Sequence, residues 1–218
     1  MPRVPAEVMA PQRYPLLHFD SPDHEIPARF EIDPASVAPY IPTPQSAVEA
    51  ALALAGVTSG DVVLDLGCGD GRVLITAGER LGARGVGIEL DPNLVAVCRN
   101  TASRKGVADR VEFRSEDILT SEWPPASVVF LFLRAGTLRQ LRPRLERELL
   151  PGTRVVVYKY EMDGWTPVAV EAAVDRYAET IRLYRSVPAG SRGTPGDESS
   201  EHRAVQGSTC SDTAPQAR

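Results

Sequence analysis

Val62-Val63-Leu64-Asp65-Leu66-Gly67-Cys68-Gly69-Asp70-Gly71-Arg72 is an apolar run that enters a glycine-rich turn and leaves it as a helical pattern. The aliphatic residues of Val62–Leu66 predict a buried strand, and Arg72–Leu81 predicts a helix. Glycine reaches backbone angles closed to other residues, and it removes β-carbons that would collide with a ligand lying over a strand end. A tight strand-to-helix turn also selects glycine, so the loop alone is compatible with a purely structural role. Asp65 narrows the choice. A carboxylate inside an apolar strand is costly to bury without a partner, which can be loop backbone or a bound cationic group.

Working outward, short β-branched runs alternate with helical patterns, the signature of a parallel sheet with crossover helices. Strands are predicted at Val62–Leu66, Gly85–Leu90, Arg110–Arg114, Ser127–Leu133 and Arg154–Tyr158. Helices are predicted at Gln45–Ala55, Arg72–Leu81, Asn93–Lys105 and Leu138–Leu149. Thr43 can cap the first helix with Pro44 at its first position; Asp91-Pro92 repeats that arrangement, and Gly106 can end what Asp91 begins. Val168–Val174 and Thr180–Tyr184, separated by Asp175-Arg176-Tyr177, read as a closing antiparallel hairpin. Residues 1–43 are Pro-rich and extended, residues 44–187 form one domain, and residues 188–218 have too few aliphatics to offset the entropy of ordering.

The formal charge of −5 does not favour the clustered basic footprint of a nucleic-acid binder, so no nucleic-acid partner is expected. Arg134, Arg139, Arg142, Arg144 and Arg147 do form a local basic stretch, but Glu146 and Glu148 interleave with it, as on a solvated helix face. Cys68, Cys98 and Cys210 are far apart and lack His partners, so neither a disulfide frame nor a metal site is indicated. No apolar run reaches the roughly 18 residues of a membrane span, and no signal-peptide pattern opens the chain. A cytoplasmic location is expected.

Two more acidic positions stand where the predicted strands end. Glu89 closes the second strand, 20 positions after Gly69, a spacing at which a carboxylate can accept both hydroxyls of a ribose. Glu116-Asp117-Ile118 follows the third strand; there Asp117 could accept from an adenine amino group while Ile118 packs on the ring, or the acid could simply cap a turn. A dinucleotide pyrophosphate is served by G-x-G-x-x-G and a helix start free of anions. Here Gly67, Gly69 and Gly71 give G-x-G-x-G, with Asp70 inside the loop and Asp65 before it. Two carboxylates repel a pyrophosphate but suit a cation such as the sulfonium and ammonium of S-adenosylmethionine. No GKS or GKT follows the glycines, so there is no P-loop.

The residues Leu64–Arg72, Gly87-Ile88-Glu89-Leu90-Asp91-Pro92 and Val111–Asp117 resemble the class I S-adenosylmethionine-dependent methyltransferases over roughly residues 39–187. Pro39–Pro44, Gly69–Arg72 and Trp165-Thr166-Pro167 resemble a smaller group, the protein-lysine methyltransferases that modify the c-ring protein of ATP synthase and adenine nucleotide translocase, with their bacterial relatives. The resemblance implies an α/β Rossmann-like fold: a seven-stranded mixed sheet of order 3-2-1-4-5-7-6 with helices on both faces. It implies S-adenosyl-L-methionine as cofactor, with Asp65, Gly67, Cys68, Gly69, Gly71, Glu89, Leu90, Asp117, Ile118 and Thr43 as the donor-binding set. It also implies a lead-in around Tyr40–Thr43 that folds over the donor, and a proline-bearing loop after the fourth strand, where Leu133-Arg134-Ala135-Gly136-Thr137 stands instead.

A protein lysine is the acceptor this group implies; a small molecule, or donor binding without catalysis, are the alternatives. Tyr40 and Tyr158 are candidates to line an acceptor channel, though both also suit packing. His18, His24 and His202 lie in the terminal segments, and no general base is assigned.

Overall fold

The computed structural model describes residues 41–173 and 178–186. Tyr40, most of the lead-in, the turn at 175–177 and the C-terminal segment lie outside the described residues. Helices α1 (Gln45–Leu54), α2 (Arg72–Leu81), α3 (Pro92–Arg104) and α4 (Ala135–Glu148) alternate with strands β1 (Val62–Leu66), β2 (Arg84–Glu89), β3 (Val111–Ser115), β4 (Val128–Leu131) and β5 (Arg154–Tyr158). The chain then adds β6 (Ala169–Ala172) and β7 (Thr180–Arg185). They form one seven-stranded sheet of order β3-β2-β1-β4-β5-β7-β6, the expected order. β1 to β5 are parallel, and β7 lies antiparallel between β5 and β6.

Helices cover both faces of this sheet, which is why its inner strands are continuous apolar runs. Alternation along each strand divides the core in two. Val63, Val128, Phe130, Val156 and Tyr158 face one way and pack with residues of α1, α2 and α3. Leu64, Leu66, Val129, Leu131, Val155 and Val157 face the other and pack with Leu138, Leu141 and Leu145 of α4. Those three leucines recur at helical spacing on one side of α4, and each contributes about 1.5–3 kcal/mol by leaving water.

Local chemistry sets the helix ends. α2 runs between two left-handed glycines, Gly71 (φ 78°) and Gly82 (φ 69°). Asp91 caps α3 by accepting from the Asn93 N–H at 2.8 Å, with Pro92 at the first position, as the sequence implies. Thr43 departs from expectation: Pro44 is the N-cap of α1 without a side-chain bond, and Thr43 lies one residue outside, buried. α4 begins at Ala135, three residues early, and takes in Gly136 and Pro143, so residues 135–137 are helix where a loop is read. Its arginines form i,i+4 pairs, Arg142 with Glu146 and Arg144 with Glu148, but the face is not simply solvated: Arg144 is largely covered, donates to Ile118 O and Ser121 O, and lies over the Trp123 ring.

At the amino edge of the sheet, Asp61 ties three strands together. It accepts from the Ser127 hydroxyl at 2.7 Å, from the Thr58 N–H at 2.8 Å and from the Arg154 guanidinium, which also donates to Ala55 O at the end of α1. Burial pushes the Asp61 carboxyl up, but Ser127, Thr58 and Arg154 together outweigh it and hold the group below its ordinary value. The opposite, carboxyl edge is free for chemistry. There β1 lies between β2, which follows it in sequence, and β4, so the chain reverses direction across the sheet at this point. Ligands of open α/β sheets bind in the crevice that such a reversal opens.

Candidate functional site

The glycine loop is the tightest structure on that edge. Gly67, Gly69 and Gly71 all have positive φ (81°, 56° and 78°), a conformation other residues adopt only under strain. What fills the space beside them differs from expectation at two of the three. A β-carbon at Gly67 would lie 2.9 Å from Leu133, and one at Gly71 would lie 2.7 Å from Phe113 and 3.0 Å from Cys98 Sγ. Protein packing, together with the backbone, therefore demands glycine at these positions, with no need to invoke ligand approach.

Glu89 anchors the loop. Its Oε2 accepts the Gly69 N–H at 3.0 Å and its Oε1 accepts the Asp91 N–H at 3.1 Å. The N–H groups of Gly67 and Cys68 both donate to Ile88 O, so the loop is latched onto the end of β2. Glu89, not Asp65, thus orders the loop backbone. Burial raises the Glu89 carboxyl above its ordinary value, against the pull of the Asp91, Gly69 and Leu90 N–H groups.

Asp65 is 2% exposed, in the middle of the sheet and on the same face as Glu89. Among the described residues, none donates a hydrogen bond to its carboxylate. Burial first, then the charges of Glu89 and Asp70, push its carboxyl well above the ordinary value. An acid so placed favours any cation that reaches it.

Asp70 does not add a bare charge to the loop. Arg72 grips it with Nε at 2.9 Å from Oδ1 and Nη2 at 2.6 Å from Oδ2, both side chains being buried. Arg72 Nη1 donates to Thr43 O at 2.8 Å, which explains why Thr43 is drawn in beside the loop. Asp65 and Glu89 are then acids of this edge that no arginine grips among the described residues. Cys68 turns inward: its thiol, hydrogen-bonded with that of Cys98 and buried, is held well above the ordinary thiol value and stays neutral.

Asp117 takes the turn reading at one oxygen. Its Oδ1 accepts the Leu119 N–H at 2.8 Å and its carbonyl accepts from Ser121. Ile118 and Leu90 are half-buried next to it and to Glu89 respectively. Tyr158 is 2% exposed and belongs to the core beneath the edge, so it does not line an open channel. Two residues not singled out in the sequence stand there instead, Phe132 and Tyr160, half-buried and stacked with centroids 6.5 Å apart. A cleft of about 580 Å³ runs along the edge strand β3 between Arg99 and Glu116, and its walls include none of Asp65, Glu89 or Asp117. No group of His, Cys, Asp and Glu among the described residues is arranged to hold a metal.

The family model of the ANTKMT methyltransferase domain matches residues 65–169, from the buried aspartate to the start of β6. A protein-lysine N-methyltransferase of Saccharolobus islandicus is 36% identical over 148 residues, 67% of this chain and 92% of that protein. The chain belongs to this family of methyltransferases. The adenine nucleotide translocase lysine N-methyltransferase of Mus musculus is 34% identical over 146 residues, 66% of this chain, and the matched part spans 60% of its length. Among solved structures, an RNA methyltransferase from Salinibacter ruber in complex with S-adenosyl-L-homocysteine is 41% identical, with a TM-score of 0.65, covering 73% of this chain and all of that one. Among the described residues of the methyltransferase, no helix is long and apolar enough to cross a membrane.

Proposed function

We propose that this methyltransferase moves the methyl group of S-adenosylmethionine to the side-chain amine of a protein lysine. Asp65 carries the donor half of the reading: a buried carboxylate without a protein donor among the described residues suits the cationic amino-acid end of the ligand. Glu89 can accept from ribose hydroxyls with the lone pairs its two backbone contacts leave over. Asp117 Oδ2 and Ile118 would serve the adenine, with Leu90, Cys68 and the glycines Gly67, Gly69 and Gly71 supplying backbone, and Thr43 closing the near side through Arg72.

When bound, the donor supplies an already activated methyl group. The chain's own task is then to align an acceptor lone pair and keep water out. A lysine ammonium, with an unperturbed pKa of about 10.4, must lose a proton first, and desolvation of the bound side chain favours that loss by disfavouring the charged form.

The Salinibacter ruber relative favours RNA as a second reading. Charge weighs against it here: the chain is −5 overall, and arginines of α4 are committed to Glu146 and Glu148. Incubation of the protein and labelled S-adenosylmethionine with a cell lysate decides between them. Label that protease releases and acid hydrolysis returns as methyl-lysine is expected; label that ribonuclease releases supports the RNA reading.

A further inference from the structure

On the carboxyl edge, a non-glycine residue adopts left-handed backbone. Lys159, the first residue past β5, has φ 71°, and the Tyr160 N–H returns to Tyr158 O at 2.9 Å. This i to i+2 bond closes a γ-turn of the rare, strained form. Strain of this kind persists only where the surroundings over-determine it, and it clusters at functional sites.

The surroundings here are rigid. Lys159 donates through its N–H to Thr180 O at 2.7 Å and through Nζ to Glu179 at 2.6 Å. Beyond the turn, the Met162 N–H donates to the Tyr184 hydroxyl, Trp165 Nε1 to Glu146 at 3.0 Å, and Arg142 to Asp163 O at 2.7 Å. The loop is therefore strapped to β7 and α4, and the turn fixes where Tyr160 points.

Tyr160 is held beside Phe132, the planes 26° apart, while Tyr158 closes on Phe132 edge-on at 4.8 Å from the core side. Leu66 pairs with Leu131, so Phe132 lies level with Gly67, and Leu133 fills the space beside that glycine. The two rings thus stand next to the donor loop, on the side of β1 away from Glu89 and Asp117.

We propose that Phe132 and Tyr160 form the wall that receives the acceptor, and that the wall fits the aliphatic stem and ammonium of a lysine side chain. Such a wall presupposes the lysine reading above. Aromatic faces pack against methylenes and attract an ammonium through their negative quadrupole. Tyr160 already presents a face to one cation, since Lys159 Nζ lies 5.9 Å from its ring centroid. Two rings could also stack a nucleobase, but the charges that flank this loop, Glu161 with Arg182 and Asp163 with Arg139, are ion pairs that leave no net positive field for a phosphate backbone.

The test uses the full chain saturated with S-adenosylhomocysteine, which supports no transfer. Short peptides carrying one lysine, one trimethyl-lysine or one norleucine, and a short single-stranded RNA, are titrated while the ring resonances of Phe132 and Tyr160 are followed. The lysine and trimethyl-lysine peptides are expected to shift both rings, and the norleucine peptide, which keeps the stem and lacks the ammonium, to bind more weakly than either. Tyr160→Leu and Phe132→Leu should weaken the lysine peptide about fivefold or more, with donor affinity and thermal melting retained. Ring shifts produced by RNA alone, no shift with any lysine peptide, or undiminished peptide binding by both variants would overturn the proposal. Lysine transfer that continues alongside undiminished binding would sink the wall and spare the functional reading; transfer to RNA alone would remove both.

Discussion

Glu89 Oε2 accepts the Gly69 N–H at 3.0 Å, so the acid read as a ribose ligand is also the clamp that closes the glycine loop onto β2. Position and chemistry meet in one side chain. Removing it disturbs the loop before any ligand is considered.

Glu89→Ala leaves two backbone N–H groups, of Gly69 and Asp91, without their acceptor and should cost about 1–3 kcal/mol of stability for each that water cannot reach. Glu89→Gln keeps an acceptor oxygen and should melt closer to the parent, yet bind the donor more weakly. Thermal unfolding paired with calorimetry separates the two effects.

The buried pair of Asp70 and Arg72 sets a different expectation. Arg72→Met alone takes the bidentate guanidinium from a carboxylate that is almost fully enclosed and should cost about 3–5 kcal/mol. Asp70→Leu combined with Arg72→Met should recover a large part of that loss. A double-mutant cycle by denaturant unfolding measures the coupling, and additive losses would contradict it.

Gly71 and Gly106 share a positive φ, 78° and 69°, but not their surroundings. A β-carbon at Gly106 meets nothing within 4 Å, so Gly106→Ala should cost about 1–2 kcal/mol for the left-handed backbone alone. At Gly71 the same change also presses on Phe113 at 2.7 Å, adding about 1–3 kcal/mol of overpacking. Phe113→Leu should relieve part of the second loss, as read from unfolding midpoints.

Asp61 and Asp65 respond to pH in opposite senses. The folded pKa of Asp61 is depressed, so its contribution is fully present above the unfolded value and lost as pH falls through the folded one. Asp65, like Glu89, is raised: its burial costs nothing below the ordinary carboxylate value and progressively more as pH climbs toward the raised one. Acid unfolding should therefore shift with Asp61→Asn, while affinity for the cationic donor should rise with pH through the raised range, by at most about tenfold per unit for each proton released. Calorimetry in buffers of different ionisation enthalpy counts those protons.

Much of this edge is legible in the chain. A continuous apolar strand broken only by Asp65, three glycines at alternate positions and Glu89 at the next strand end define the fold and the acids of its carboxyl edge, because each follows from local spacing. The partner of Asp70 is harder to read: Arg72 is two residues away, and only the curl of the left-handed loop brings the two into bidentate contact. Gly136 lies before the predicted start of the fourth helix at Leu138, yet α4 absorbs it because its leucine stripe is buried against the sheet. The predicted fifth strand ends at Tyr158, and Lys159-Tyr160 follows it without a turn signal. Nothing in those letters announces a γ-turn, and without the turn Tyr160 has no reason to stand at the edge while Tyr158 stays in the core.

The proposed function puts the donor's cationic end on the Asp65 carboxylate, with the other donor contacts arranged around it. Calorimetric titration of the wild-type protein and Asp65→Asn with S-adenosylmethionine, with a nicotinamide dinucleotide as control ligand, tests this directly. Binding of S-adenosylmethionine alone, weakened about tenfold or more by a substitution that preserves shape and removes one charge, is the predicted result. Equal affinity in both proteins, or a preference for the dinucleotide, would contradict it.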